Sequence, residues 1–139
     1  MKIDNGTLVS IMNVLNKCGQ KKLPQKISYA ITKNTINLNA DFECYTKSLQ
    51  KIISNYKEYV VKYENDKDII SDIGLPVVDD EHMADYISEV NELLSIEVDV
   101  NFYTIDESLF DYDDYKYDVL TAREILQLQD ILCRKEGSD

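Results

Sequence analysis

The sequence predicts a mostly helical α+β fold, and three observations support this prediction. Apolar residues recur at intervals of four and seven over residues 27–60, a spacing typical of a long helix with one buried seam. Thr121 and Glu124 stand three apart just before an apolar run, the pattern of an N-terminal capping box. Residues 96–102 alternate between apolar and polar, which indicates a half-buried strand. We therefore expect a short N-terminal helix, a long central helix packed on a third helix, a small β element at about residues 96–105, and a C-terminal helix.

The first two helices are predicted by apolar spacing and by the residues at their ends. Apolar residues three and four apart over residues 8–15 predict the first helix, with Asn5 or Thr7 as its N-cap. Pro24 suits the first turn of the central helix, because its fixed φ fits there and its missing N–H is not needed. The apolar repeat carries that helix to Val60, giving about 37 residues or roughly 55 Å. A helix of this length needs a partner to cover its seam.

The second half of the chain is predicted to hold a loop, a helix and a strand in that order. Residues 63–80 break the helical period and contain Gly and Pro, which predicts a loop or a brief hairpin. Asp79 or Asp80 can cap a third helix that runs to about Ser95. A lone strand is unstable, so the strand that follows needs a partner. The candidates are residues 1–3, residues 69–78 and another subunit.

Size, cysteine usage and hydropathy define the class of protein. A chain of 139 residues predicts a single domain over residues 1–139. Cys18, Cys44 and Cys133 are odd in number and widely separated, so the sequence predicts neither a disulfide framework nor a zinc site, and a reducing cytoplasm fits. The N-terminal residues lack the layout of a signal peptide, and no apolar run approaches the roughly 18 residues of a membrane span. We expect a soluble cytoplasmic protein.

Charge is distributed unevenly along the chain. The formal net charge is −11, which argues against general affinity for nucleic acid or anionic membranes. Residues 1–60 nevertheless carry 9 Lys against 4 Asp or Glu, a net of +5, whereas residues 61–139 carry a net of −16. The two halves therefore favour different electrostatic partners, or each other.

The basic segment, residues 21–34, is the first candidate binding site. Lysines at the start of a helix, beside its unpaired N–H groups, are suited to a phosphate or carboxylate, and an aromatic ring among them can stack on a base. The alternative is that the lysines pair with the acidic half of the same chain or of a neighbouring subunit. The predicted ligand-binding residues are Lys21, Lys22, Lys26, Tyr29, Lys33 and Asn34.

The acidic segment, residues 106–118, is the second candidate. Closely spaced carboxylates can imitate the phosphates of DNA, and tyrosines add contact area at low entropic cost. The alternative is a solvated acidic loop whose tyrosine rings pack on the body of the protein. The predicted protein-interaction residues are Asp111, Tyr112, Asp113, Asp114 and Tyr115.

No catalytic or metal-binding signature accompanies these segments. His82 is the only histidine, and together with Asp79 it fits the first turn of a helix better than a metal site. The acidic segment lacks the glycine and the ligand order of an EF-hand, and the sequence has no glycine-rich phosphate loop. We expect a protein that is not an enzyme and that carries neither a metal nor a cofactor.

Several stretches resemble a small family of bacteriophage proteins known only as a domain of unknown function. The resemblance covers about residues 5–100 and is sharpest in Lys-Leu-Pro-Gln-Lys-Ile-Ser-Tyr-Ala-Ile-Thr-Lys-Asn at residues 22–34, with a second stretch at residues 92–98. The acidic segment lies outside it. The family supplies no catalytic residues to carry over.

The resemblance implies a phage protein acting in the cytoplasm of a bacterial host, where small proteins without enzymatic motifs commonly act by stoichiometric binding. Our preferred hypothesis is a counter-defence protein that sequesters a phosphate-bearing nucleotide immune signal in a pocket completed by a second subunit, since the long seam favours a homo-oligomer. One alternative is an acidic mimic of nucleic acid or a protein inhibitor of a host defence effector, such as an anti-CRISPR. Another is a phage morphogenesis or assembly factor. The partner is thus a nucleotide-type small molecule or a host defence protein, with no direct nucleic acid and no membrane.

Overall fold

A computed structural model describes residues 1–134, and it confirms the predicted mostly helical α+β fold. The elements in chain order are β1 (Lys2–Asp4), α1 (Asn5–Cys18), α2 (Gln25–Asn55), α3 (Asp80–Ser95), β2 (Glu97–Asp99) and α4 (Ala122–Leu132). Packing divides the chain into two compact units. The first is Met1–Phe42 with the chain from Glu97 onward, and the second is Glu43–Ile96.

The first unit is built on a core shared by α1, the first half of α2 and α4. Apolar residues three and four apart on α1 are buried, as their spacing predicts, and the seam residues Ile27, Ile31 and Leu38 of α2 are buried with them. Phe110 and Leu120, from the chain that leads to α4, enter the same core. The apolar face of α4 completes it with Leu128, Ile131 and Leu132.

The ends of α1 and α4 show how local polar groups fix helix boundaries. The N-cap of α1 is Asp4, so the prediction of Asn5 or Thr7 was wrong; the Asp4 carboxylate accepts a hydrogen bond from the Thr7 N–H at 2.7 Å. The capping box of α4 is confirmed. Thr121 Oγ1 accepts from the Glu124 N–H at 3.1 Å, and Glu124 Oε1 accepts from the Thr121 N–H at 2.9 Å.

The predicted strand is much shorter than expected, and its partner is now identified. Only Glu97–Asp99 forms a ladder, pairing antiparallel with Lys2–Asp4 so that Ile3 lies opposite Val98. The partner is therefore the N-terminal segment, one of the three candidates. Beyond β2 the backbone bonds to groups outside the sheet, including the Ile105 N–H to the last carbonyl of α4 at 2.8 Å. Among the residues that the structure describes, no strand lies beside residues 101–105, so the ladder stops at Asp99.

The second unit contains the rest of α2, an irregular β region and α3. The α2 helix ends at Asn55, so the prediction that it reaches Val60 was wrong. Val60 instead forms a β-bridge with Val78, and both pack with Tyr86 and Val90 of α3. Val60 is therefore at the interval that the helical repeat predicts, but it reaches the core of this unit from a β-bridge and not from α2. The predicted N-cap of α3 is confirmed as Asp79, whose carboxylate accepts from the His82 N–H at 3.0 Å.

The chain between α2 and α3 forms a closed ring of hydrogen bonds with a repeat of eight residues. The Val61 N–H donates to Val77 O at 2.7 Å, the Val77 N–H donates to Ile69 O at 2.8 Å, and the Ile69 N–H donates to Val61 O at 2.9 Å. The turns between these segments include Asp66 and Gly74 at positive φ. The region predicted as a loop or hairpin is thus a triangular β arrangement, closed by backbone hydrogen bonds within the region.

Candidate functional site

Three of the six predicted ligand-binding residues lie on one exposed face of α2. Lys26, Tyr29 and Lys33 are exposed and follow each other at intervals of three and four. Residues at these intervals are neighbours on a helix surface, so the Tyr29 side chain leaves α2 between those of Lys26 and Lys33. The opposite face of the same helix turns carries the buried Ile27 and Ile31, which fixes the orientation of the exposed face.

Tyr103 joins this face from the irregular chain that follows β2. The rings of Tyr29 and Tyr103 meet edge to face, with centroids 5.4 Å apart and an interplanar angle of 70°. Tyr29 is 56% exposed and Tyr103 is 39% exposed. We call Lys26, Tyr29, Lys33 and Tyr103 the basic-aromatic face. An edge-to-face contact uses at most one face of a ring, so aromatic surface remains open on it.

Asn34 holds Tyr103 in place. The Asn34 side chain is fully buried; its Nδ2 donates to Tyr103 O and to Ala30 O, each at 2.8 Å, and its Oδ1 accepts from the Tyr103 N–H at 2.8 Å. Both the nitrogen and the oxygen of the Asn34 amide are thus hydrogen-bonded to backbone groups of the protein. Asn34 therefore supports the basic-aromatic face from beneath, whereas the sequence predicted that it would contact a ligand.

Lys21 is occupied by an ion pair. Its Nζ lies 3.6 Å from Glu124 Oε2, and Lys17 Nζ lies 3.9 Å from the same oxygen. The Glu124 side chain is only 4% exposed. The hydrogen bond from the Thr121 N–H, aided by the two ammonium groups, lowers the pKa of the Glu124 carboxyl and outweighs the opposing effect of burial.

Lys22 connects the basic segment to the end of the acidic segment through its backbone. The Lys22 N–H donates to Asp118 Oδ2 at 2.6 Å, and the Asp118 N–H donates to Lys22 O at 2.8 Å. The Lys22 side chain is exposed. For Lys21 and for the backbone of Lys22, the structure therefore matches the alternative in which the basic segment pairs with the acidic half of the same chain.

A groove lies beside the basic-aromatic face, between the end of α1 and α2. Its volume is about 580 Å³, within the range of small-molecule sites. Gly19 forms part of its wall, because α1 and α2 approach so closely there that an added Cβ would lie 2.8 Å from Leu15 O and 3.4 Å from Ile31 Cγ2. The side chains that line the groove are Leu15, Asn16, Gln20, Ile31, Thr32, Thr35 and Ile36.

Residues 111–118 of the acidic segment form a surface turn, which we call the acidic turn. Contacts within the protein fix the base of this turn, where its two ends meet, and its tip is exposed. Tyr112 Oη donates to Asp118 O at 3.1 Å, and the Tyr112 and Tyr117 rings meet edge to face at 5.6 Å. Between them Tyr115 is completely exposed. Of the five predicted interaction residues, Tyr112 is part of the base, and the others are exposed. Those exposed residues are Asp111, Asp113, Asp114 and Tyr115.

His82 takes part in the cap of α3. Its Nδ1 lies 2.6 Å from Asp79 Oδ1, and its ring stacks on Tyr59 with centroids 3.6 Å apart. Hydrogen bonding to His82 lowers the pKa of Asp79.

Within residues 1–134, no group of three or more His, Cys, Asp and Glu side chains is arranged to hold a metal ion. Over the same residues, no helix has the length and apolar character of a membrane span.

Two residues of these surfaces were not predicted to belong to them. Tyr103 fell inside a predicted strand, between Phe102 and Thr104, and no sequence pattern distinguished it as a surface residue. Glu124 was recognised as half of a capping box, but a helix cap gives no sign that lysines from elsewhere in the chain will lie against it.

The fold and its surfaces define a small, mostly helical α+β protein with one basic-aromatic face and one acidic turn. Comparisons of the chain with protein-family models, curated proteins and solved structures find no match. The phage family named above therefore stays a prediction from the shared residues.

Proposed function

We propose that this protein acts by stoichiometric binding without catalysis, and that the basic-aromatic face takes a phosphate-bearing nucleotide. The observation that carries the proposal is the exposed Tyr29–Tyr103 pair, in which Tyr29 lies between Lys26 and Lys33 along one face of α2. Ammonium groups attract phosphate, and exposed tyrosine rings provide surfaces on which a base stacks. Two lysines suit a small phosphorylated ligand better than a nucleic-acid duplex, which a net charge of −11 repels.

The biological role we propose is counter-defence by a phage protein, through removal of a nucleotide signal that a bacterial host uses in immunity. This role follows from the family resemblance and from the absence of recognised catalytic motifs in the sequence. The basic-aromatic face is open on the protein surface, and small-molecule sites usually enclose most of their ligand. We therefore expect a second copy of the chain to cover the ligand.

The first prediction concerns the two lysines of the face. Lys26→Gln and Lys33→Gln should each weaken nucleotide binding by about tenfold, because each removes one charge-assisted contact to phosphate. Isothermal titration with ribonucleoside 5′-monophosphates and 5′-triphosphates would measure this effect. Lys57→Gln is the matched control, since Lys57 is an exposed lysine in a separate 3-10 turn and its replacement makes the same change in net charge.

The same titration decides the proposal. Binding by the wild-type protein that weakens as salt rises, and that Lys57→Gln leaves intact, supports it. An absence of heat and of any change in melting temperature across the whole nucleotide panel would reject it. Light scattering with and without the tightest nucleotide would test whether a second copy joins the complex.

A second candidate function is supported by the acidic turn. Tyr115 projects fully into solvent beside the exposed Asp113 and Asp114, an arrangement suited to a basic protein surface. The Asp114 carboxylate also lies 3.6 Å from Lys116 Nζ within the turn. Under this proposal the protein inhibits a host defence effector by occupying its nucleic-acid-binding surface.

The second prediction tests this alternative. Joint replacement Asp111→Asn, Asp113→Asn and Asp114→Asn should leave the melting temperature within a few degrees of the wild type, because the three residues are exposed. Salt-sensitive co-purification with a basic host protein should be lost in this variant. Retention of the partner by the triple variant would exclude the acidic turn as the contact surface.

A further inference from the structure

We infer that the groove between α1 and α2 binds the edge of the heterocyclic base of the nucleotide, while one face of that base stacks on Tyr29 and the adjacent lysines bind its phosphate. This inference rests on the proposed nucleotide function and specifies which part of the surface would give it selectivity. It assigns the groove to a flat, polar, uncharged ring system.

The lining of the groove has the chemistry that such a ring requires. Leu15 and Ile31 are buried and provide an apolar floor. The described side chains around that floor carry hydroxyl and amide groups and no charge. These groups belong to Asn16, Gln20, Thr32 and Thr35. An apolar floor with a few polar groups at its edge is the usual composition of a small-molecule site.

The polar side chains at the edge of the groove limit which hydrogen-bonding groups the ligand can carry. The Thr35 hydroxyl already donates to Ile31 O at 2.8 Å, so toward a ligand it can only accept. Amides such as those of Asn16 and Gln20 can both donate and accept. A base with an exocyclic amino group and ring nitrogens would satisfy both kinds of group. A lipid chain would leave the amides unpaired, and inorganic phosphate would make no use of the floor.

The edge of the groove adjoins the basic-aromatic face along α2. Thr32 lies three residues after Tyr29, an interval at which side chains are neighbours on a helix surface. Ile36, at the groove edge, lies three residues beyond Lys33 and is 67% exposed. A ligand lying across this turn of α2 would therefore meet the groove on one side and the basic-aromatic face on the other.

The third prediction is that the groove discriminates nucleotides from ligands that have phosphate but no base. Wild-type protein should bind at least one ribonucleoside 5′-monophosphate about tenfold or more tightly than ribose 5-phosphate in isothermal titration. Asn16→Leu and Gln20→Leu should reduce this preference severalfold while leaving the affinity for ribose 5-phosphate unchanged. Asn37→Leu is the matched control, because Asn37 is an exposed amide on α2 that does not line the groove.

A direct reporter of groove occupancy is available because the chain contains no tryptophan. Ile36→Trp places one fluorophore at the groove edge, at a position exposed enough to accept the larger ring. The nucleoside monophosphate should change its emission, the matching nucleoside should do so at higher concentration, and ribose 5-phosphate should not change it.

These results separate the inference from the proposed function. Equal affinity for nucleotides and ribose 5-phosphate, unaffected by Asn16→Leu and Gln20→Leu but lost in Lys33→Gln, would overturn the groove assignment and leave the anion site intact. Binding of none of these ligands would overturn both. A nucleotide preference that the groove variants remove supports both.

Discussion

Replacing Asn34 by leucine should destabilise the protein by roughly 3 kcal/mol, because three hydrogen bonds are lost and two of them have no substitute. The N–H and the carbonyl of Tyr103 both bond to the Asn34 amide within a partly buried region. Leucine fills a similar volume but leaves these two backbone groups without partners. The cost therefore comes from desolvated backbone groups and not from a cavity.

Chemical denaturation of Asn34→Leu against Asn39→Leu measures this effect. Asn39 is an exposed amide on the same helix, so its replacement should change the free energy of unfolding by less than about 0.5 kcal/mol. If Asn34 served as a ligand contact alone, Asn34→Leu would keep its stability and lose only nucleotide affinity. The structure instead predicts that the free energy of unfolding falls first and foremost. Nucleotide affinity falls as a consequence, because Tyr103 is no longer held against Tyr29.

The course of the chain after β2 shows why sequence patterns predicted the fold class better than its details. Alternation correctly placed a strand after α3, and spacing correctly placed the buried faces of the helices. The pattern overstated the strand because alternation reports burial on one side and not the hydrogen-bonding partner. Around Tyr103 that partner is the Asn34 side chain, 69 residues away in sequence. No local pattern predicts a contact at that separation.

The end of α2 shows the same limit from another direction. Val60 continues the helical interval and is an apolar core residue, but it reaches the core from a β-bridge to Val78. The ring of Val61, Ile69 and Val77 repeats every eight residues, and its regularity lies mainly in backbone hydrogen bonds. Side chains at the other equivalent positions differ in character, so a sequence search for internal repeats has little to detect.

The candidate site was predicted in part because charge and aromatic content are readable from sequence whereas partners are not. Lys26, Tyr29 and Lys33 share an exposed helix face, as helical spacing requires. Lys21 looked equivalent to them, but its ammonium group meets a carboxylate about a hundred residues further along the chain. Part of the opposite charge on the two halves of the chain is therefore used in ion pairs within the protein.

Replacing Glu124 by alanine should lower the melting temperature by roughly 5 to 10 °C at neutral pH. The variant loses the acceptor for the Thr121 N–H, which breaks half of the capping box. It also removes the carboxylate that lies against Lys21 and Lys17. Asp130→Ala is the control, because Asp130 is an exposed acidic residue on the same helix, and no comparable loss is expected there.

Comparison with Glu124→Gln isolates the contribution of the Glu124 charge to stability, and this contribution should depend on pH. The folded-state pKa of Glu124 lies below its ordinary value of 4.5, so the unfolded chain takes up this proton first as the pH falls. The stabilisation from the ionised carboxylate is therefore complete above about pH 4.5 to 5 and is lost as the pH falls through the folded-state pKa. Glutamine keeps the shape and the hydrogen bond to the Thr121 N–H but has no charge to lose.

The wild-type melting temperature should therefore exceed that of Glu124→Gln at pH 7, and the difference should shrink as the pH is lowered below about 4.5. Other carboxylates titrate equally in both proteins, so their contributions cancel in the difference. Equal melting temperatures at pH 7, or a difference that stays constant down to pH 3, would mean that the charge of the buried carboxylate contributes no stability. In that case the lysines beside it would not be held by its charge, and Lys21 would be free to join Lys26 and Lys33 in binding an anion.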